Sequence, residues 1–303
     1  MAKKIVKTKT VNRTGKKIVK KALVIKEKKE KVLTAEKIKS LNEKTLGTRK
    51  EVQGTRKEEL EIKAKDEKKI LEDKKYNLTV GLKDLLAAGC HLGHKVSKTN
   101  PKAKGNLYKA IDGIQVFDLV KTMAGLEAAC NFVYNSKRNG KQIVLVGTKR
   151  QAKEVVKRVA LDAGVAYITN RWLGGTITNW DQIRKTIKRY WDWKEGLEQN
   201  KFTNKTKREL LEMSKELVRI EKNIGGLAKL DKLFDVMFVV DAGGEKTAVK
   251  EASLTKVKIV GMVDTDTDPA KVDFPIPAND DNVKSVTLIV EEIGKAIKAA
   301  GVK

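Results

Sequence analysis

The sequence predicts an α/β protein: a doubly wound, mostly parallel five-stranded sheet, with an inserted antiparallel helical hairpin of coiled-coil type and a basic, largely disordered N-terminal arm. Three observations predict it. From about Asn77 onward, short apolar runs alternate with segments of helical periodicity, the pattern of a parallel sheet covered on both faces. Between the second and third runs, residues 178–226 carry two apolar seams joined by a polar turn. Residues 1–76 hold 26 Lys and Arg against 12 Asp and Glu, a net +14 within a chain total of +26.

Residues 1–26 contain ten basic residues and no acid. Such a segment cannot bury enough apolar surface to offset its ordering entropy, so it reads as an arm that is disordered or ordered by RNA. Residues 35–75, rich in Glu and Lys with sparse Leu and Ile, read as a solvated helix interrupted near Gly47 and Gly54. Residues 1–76 therefore form one unit and 77–303 the folded domain. In the latter, Leu82, Leu85 and Leu86 have helical spacing and stop at Gly89. Residues 117–134 predict a helix with Met123, Leu126, Ala129, Cys130 and Val133 on one side. The first strand, 142–146, enters Gly147-Thr148-Lys149-Arg150. A helix carrying Val155, Val156 and Val159 leads to a weak strand at 166–169. Runs at 236–240, 259–263 and 274–276 supply the other strands, and a helix over 283–299 closes the domain. Right-handed crossovers follow from the parallel order.

The hairpin places Trp180, Ile183, Ile187, Tyr190 and Leu197 on its first seam, with Lys194 breaking the rhythm. Its second seam is Leu210, Met213, Leu217, Ile220, Ile224 and Leu227. At 1.5 Å per residue each arm is about 30 Å long. The mixed charge outside suits a projecting strut rather than a second core.

A net charge of +26 points to a polyanion held largely by electrostatics. Cys90 and Cys130 lie in apolar surroundings and read as core thiols of a reducing compartment, their spacing leaving open whether they pair. No apolar run approaches the ~20 residues of a membrane span, and the N-terminus lacks the apolar stretch of a secretory signal. It is also too Lys-rich for a typical transit peptide.

The segment Arg171-Trp172-Leu173-Gly174-Gly175-Thr176-Ile177-Thr178-Asn179-Trp180 sets a guanidinium and an indole beside a glycine pair. Such a loop suits phosphates and base faces, with Thr178 or Asn179 capping a helix that begins with Arg184, Lys185, Lys188 and Arg189. The alternative is Trp172 as a core plug with Arg171 its ion-paired neighbour; the residues alone leave both open. Gly89-Cys90-His91-Leu92-Gly93-His94-Lys95 holds the only two histidines. His-x-x-His is too sparse for a metal site. A Gly-flanked loop whose imidazoles bond backbone or RNA fits better. Lys102 and Lys104 share a side if that loop is extended. Gly147-Thr148-Lys149-Arg150, at a strand-to-helix corner, suits an anion, yet no Walker loop or Gly-x-Gly-x-x-Gly fingerprint is present. Asp241, Asp264, Asp266, Asp268, Asp280 and Asp281 follow strand-like runs. They would suit Mg²⁺ in an enzyme, but no activated nucleophile accompanies them, and turn formation explains them better.

Arg171 to Asn179 resembles a signature of the bacterial-type ribosomal protein S2 family. Leu82–Gly93, Asn100-Pro101-Lys102, Gly147-Thr148-Lys149-Arg150, Asp264-Thr265 with Asp268-Pro269, and Ile276-Pro277 with Asn279-Asp280-Asp281 follow in the family's order. The resemblance covers about 80–300. Phe234, Lys258, Asp266 and Ala278 depart from it and weaken local turn predictions. It implies a non-enzymatic constituent of the small ribosomal subunit, between head and body, in a bacterial cytoplasm rather than an organelle. It implies ribosomal RNA and neighbouring small-subunit proteins as partners, ribosomal protein S1 a candidate among them. No cofactor, metal, membrane or small-molecule substrate is expected. The RNA-binding candidates are His91, His94, Lys95, Lys102, Lys104, Lys149, Arg150, Arg171, Trp172, Thr178, Asn179, Arg184 and Lys188. Deleting residues 1–26 is expected to flatten the salt dependence of RNA binding, by about 0.9 in log–log slope for each duplex phosphate that the arm neutralises. Equal slopes for the two chains would show that the arm neutralises none.

Overall fold

Five short strands lie at the centre of the domain, and two of them, Ile143–Val146 and Val236–Val239, are buried at every residue. The computed structural model describes residues 75–202 and 204–301. The basic arm and its interrupted helix lie outside those residues. The chain enters α1 (Leu82–Ala87), then β1 (Leu92–Lys95), β2 (Leu107–Ile111) and β3 (Ile114–Phe117). There follow α2 (Leu119–Arg138), β4 (Ile143–Val146), α3 (Lys153–Ala163) and β5 (Ala166–Ile168). Next come α4 (Trp180–Glu198), α5 (Lys207–Ile224), β6 (Val236–Val239), α6 (Lys246–Thr255), β7 (Lys258–Val263), β8 (Phe274–Pro277) and α7 (Val283–Gly301).

Strands β4 to β8 form one parallel sheet in the order β5-β4-β6-β7-β8. Alternate side chains feed two cores. Ile143 and Leu145 of β4 and Val236 and Phe238 of β6 join Leu126, Val133, Val156, Val286, Ile289 and Ile293 on one face. Val144, Val146, Met237 and Val239 join Ile183, Ile187, Ile224, Ala248 and Ala252 on the other. Burial of both strand faces is why these segments read as unbroken Val/Ile/Leu/Met/Phe runs. All five predicted strands are present within a residue or two. Cys90 and Cys130 are buried free thiols.

The inserted helices are α4 and α5, consecutive and packed through Ile187, Tyr190, Ile220 and Ile224. Tyr190 also donates its hydroxyl to Glu221 at 3.3 Å across the pair. Helix α5 starts in a capping box, Thr206 accepting from the Glu209 amide and Glu209 accepting from the Thr206 amide.

Two elements depart from the sequence expectation. Residues 92–117 form a three-stranded antiparallel sheet, β1-β3-β2, where a basic loop was expected. Their strands carry lysines, a glycine and exposed apolar residues, so no alternation marks a buried face. Lys102 and Lys104 lie on a 3-10 turn over Pro101–Asn106. At three residues per turn they point apart, not to one side. The small sheet is pressed onto the large one: a Cβ at Gly93 would collide with the Thr265 side chain and sit 3.1 Å from the Gln115 carbonyl oxygen.

Candidate nucleic-acid interface

The carboxyl ends of the parallel strands meet at one cation. The turn after β4 carries Lys149, and its ammonium lies 2.7 Å from Asp280, 2.9 Å from Asp281 and 3.1 Å from Asp241. Asp241 follows β6 and the other two follow β8. Strand order reverses between β4 and β6, the crevice where doubly wound sheets take their ligands. Here the ammonium fills it. Burial alone would lower the Lys149 pKa, but Asp280, Asp281 and Asp241 outweigh burial and raise it, so the charge is permanent. Burial, with Asp241 and Asp264 alongside, pushes the Asp280 carboxyl up to about 8 against the pull of Lys149. Next to this cluster the Thr148 hydroxyl donates to Glu245, whose own pKa is raised by burial. The open anion corner expected here is therefore closed for Lys149, while Arg150 beside it is exposed.

The same acidic rim holds the small sheet. His94, on β1, places Nδ1 3.0 Å from buried Asp264 and Nε2 3.4 Å from Asp281. Its backbone amide donates to the Thr265 hydroxyl at 3.0 Å. Burial alone would lower the imidazole pKa, but Asp264, Asp266 and Asp281 outweigh it and raise it. Lys102 donates to Asp268 at 2.6 Å, and Asn100 N–H to the Thr265 carbonyl at 2.8 Å. His94 is thus a clamp between sheets. His91 keeps Nδ1 buried without a partner, whereas Lys95 and Lys104 are exposed.

The Gly-Gly loop is built around a carboxylate that sequence reasoning missed. Glu251 of α6 is buried, and one of its oxygens accepts from Trp172 Nε1 at 3.2 Å and Gly175 N–H at 2.8 Å. The other accepts from Ile177 N–H at 3.0 Å, Thr178 N–H at 3.3 Å and the Thr178 hydroxyl at 3.4 Å. Gly175, at φ +88°, takes the left-handed conformation that lets successive amides turn toward one acceptor. Burial alone would raise the Glu251 pKa; the amides of Gly175 and Ile177, the Trp172 indole and the Thr178 amide outweigh it and lower it. The loop's donors therefore face inward onto a carboxylate, not outward onto phosphate.

Of the two readings of Trp172, burial supports the core plug, though among the described residues without the ion-paired Arg171 expected beside it. The indole is a core plug beside Ile177, Ile183 and Ile187, with no face for a base. Neither Thr178 nor Asn179 caps α4 by its side chain: Asn179 stands at the cap position without a capping bond, and the Thr178 hydroxyl serves Glu251. Arg171, Thr178, Asn179, Arg184 and Lys188 are exposed. Arg171 has no ion-pair partner among the described residues. Glu251 was detectable in principle, as an acid at the inward position of the Ala248–Ala252 apolar stripe. No local pattern, however, joins it to residues 73 to 79 positions away.

A family model described as "Ribosomal protein S2" matches residues 85–300. The chain is 38% identical over 221 residues, 73% of each chain, to small ribosomal subunit protein uS2 of Opitutus terrae. It is 42% identical over 218 residues to the protein of that name from Coprothermobacter proteolyticus, covering 72% of this chain and 81% of the relative. With the Petrotoga mobilis protein of the same name it shares 39% over 218 residues, 72% of this chain and 76% of the relative.

Two outcomes test the geometry. Glu251→Ala strips the acceptor from five donors and is expected to cost about 3 kcal/mol in urea denaturation of the full chain; a loss under about 0.5 kcal/mol would show that the loop holds itself. His94 and Asp280 both have folded pKa values above their unfolded ones. Each therefore contributes stability that is fully present below its unfolded pKa and is lost as pH rises through its folded one. Stability should fall between about pH 4 and 8 as Asp280 and His94 lose their protons. Asp280→Asn should flatten that limb, and an unchanged slope would remove Asp280 as its source.

Proposed function

The chain belongs to the ribosomal protein S2 family, and we propose that it is a structural constituent of the small ribosomal subunit that binds ribosomal RNA and supports subunit assembly and translation. It makes and breaks no bond. The observation that carries this reading is the family match over 85–300 together with the state of the sheet's crevice. An enzyme of this architecture would present that crevice to substrate or Mg²⁺; here an ammonium within 3.1 Å of three carboxyl groups occupies the centre. Its place is the cytoplasmic ribosome, as the bacterial relatives' names suggest. No helix among the described residues is long and apolar enough to cross a membrane.

RNA binding falls to the exposed cations: Lys95, Lys102, Lys104 and Arg150 around the small sheet and the β4 corner, and Arg171, Arg184 and Lys188 around the Gly-Gly loop and α4, with Thr178 and Asn179 beside them. Lys102 exchanges Asp268 for phosphate in this reading. His91, His94, Lys149 and Trp172 support these positions rather than touch RNA. Neighbouring small-subunit proteins complete the surroundings. The small sheet exposes Leu92, Tyr108, Ile111 and Ile114, apolar side chains suited to such a neighbour, ribosomal protein S1 being the candidate. The hairpin, with coiled-coil packing along its arms, braces the domain.

Co-sedimentation of the full chain with small ribosomal subunits after a high-salt wash tests the reading. Wild type is expected to stay bound, and Arg171→Ala with Lys188→Ala to incorporate less while keeping the wild-type circular dichroism. A chain that washes off entirely is a free RNA-binding factor, and one that turns over a phosphate ester with Mg²⁺ is an enzyme.

A further inference from the structure

The indole expected to stack on RNA is sealed in the core, but another stands open on α4. Trp191 is 46% exposed. Its orientation is fixed: Nε1 donates to the Ala228 carbonyl at 3.1 Å, and the Tyr190 ring meets it edge-on at 5.3 Å. Lys194 lies 5.5 Å from the ring centroid. Arg184, Lys188 and Trp191 are spaced i, i+4, i+7, which places them on one helical face. Lys185 and Arg189 lie on the adjacent stripe, and the Arg189 guanidinium covers Trp193 at 5.2 Å. Arg184, Lys185, Lys188 and Arg189 are exposed, and among the described residues none of the four is in an ion pair. The stripe about 100° round the helix, Ile183, Ile187 and Tyr190, is buried. Arg184 and Lys188 therefore take no part in packing the domain, and Trp191 keeps nearly half of its surface in solvent while its other side rests against Ala228 and Tyr190.

Cations alone would suit the phosphates of any duplex. A pinned aromatic plane among them suits something narrower, because A-form duplexes hide their base faces while loops, bulges and ends expose them. Base–aromatic stacking needs only a π-face and tolerates any base. Resting on the RNA-binding reading above, we propose that the α4 face holds an unpaired nucleotide of RNA, with Arg184 and Lys188 on its phosphates and its base stacked on Trp191.

Binding of the full chain to two probes tests this: an RNA hairpin with an unpaired loop, and a fully paired duplex of equal phosphate count, each titrated across salt. Trp191→Ala is expected to weaken hairpin binding by roughly 5- to 150-fold without changing the salt slope, and to leave duplex binding nearly intact. Arg184→Ala with Lys188→Ala should instead reduce the slope, by about 0.7 for each single-strand phosphate no longer neutralised. Hairpin addition should quench indole emission in the wild type and less in Trp191→Phe, which keeps an aromatic plane and so guards against loss of fold. Wild-type affinity and quenching in the Trp191 variants, with RNA binding intact, would overturn the stacking site alone. Equal losses on hairpin and duplex would overturn it too. Failure of the wild type to bind either RNA would overturn both readings.

Discussion

The Lys149 ammonium between Asp241, Asp280 and Asp281 is the interaction on which the crowded end of the sheet depends. Strands β6, β7 and β8 are each followed within three residues by an acid, and Asp264 and Asp280 are almost fully buried. Four carboxyl groups so close cannot all ionise without a counter-charge. Lys149 supplies one from β4, and His94 supplies another from the small sheet. One cluster thus ties the switch point, the last strand and the antiparallel sheet together. Removing a single partner would leave buried charge uncompensated, which is costlier than never having had the pair. The raised pKa values of Lys149 and His94 express the same excess of negative charge, and at Asp280 that excess adds to the larger effect of burial.

Glu251 does for the other face what Lys149 does for the strand ends, with the sign reversed. A loop of amides and an indole is folded around a buried carboxylate. Its rigidity holds Arg171, Thr178 and Asn179 at the surface just before α4. The outward chemistry of the family-like segment is therefore carried by a few side chains, and most of its residues serve to hold the loop in shape.

The sheet was legible because its inner strands are buried on both faces, which forces continuous apolar runs such as Ile143–Val146 and Val236–Val239. The α4–α5 pair was legible from its seams. Strands β1 to β3 were not, because Leu92, Tyr108, Ile111 and Ile114 leave no clean polar–apolar alternation. Helix α6 escaped notice because its stripe is made of small residues, Ala248 and Ala252, interrupted by Glu251. At the site, exposure of Arg171, Arg184 and Lys188 followed from charge and periodicity alone. The burial of Trp172 and the internal pairing of Lys149 depended on partners 79 and 131 residues away, a separation that no local pattern encodes.

Charge segregation links these cores to the surface. Among the described residues every buried charged side chain is an acid: Glu251, Asp264, Asp280 and Glu292. Each has its partner in place. Glu292 of α7 accepts from the Thr79 amide at 2.7 Å and the Thr79 hydroxyl at 2.6 Å, anchoring the segment that leads into the domain. Amides, hydroxyls, His94 and the lysines Lys149 and Lys295 thus absorb negative charge inside, while the arginines and most lysines stay in solvent. The potential outside is then more positive than a count of residues implies, and it is this outer potential that a polyanion meets first. A fold that spends its carboxylates on internal order can keep its cations for the exterior, without the self-repulsion that burying them would bring.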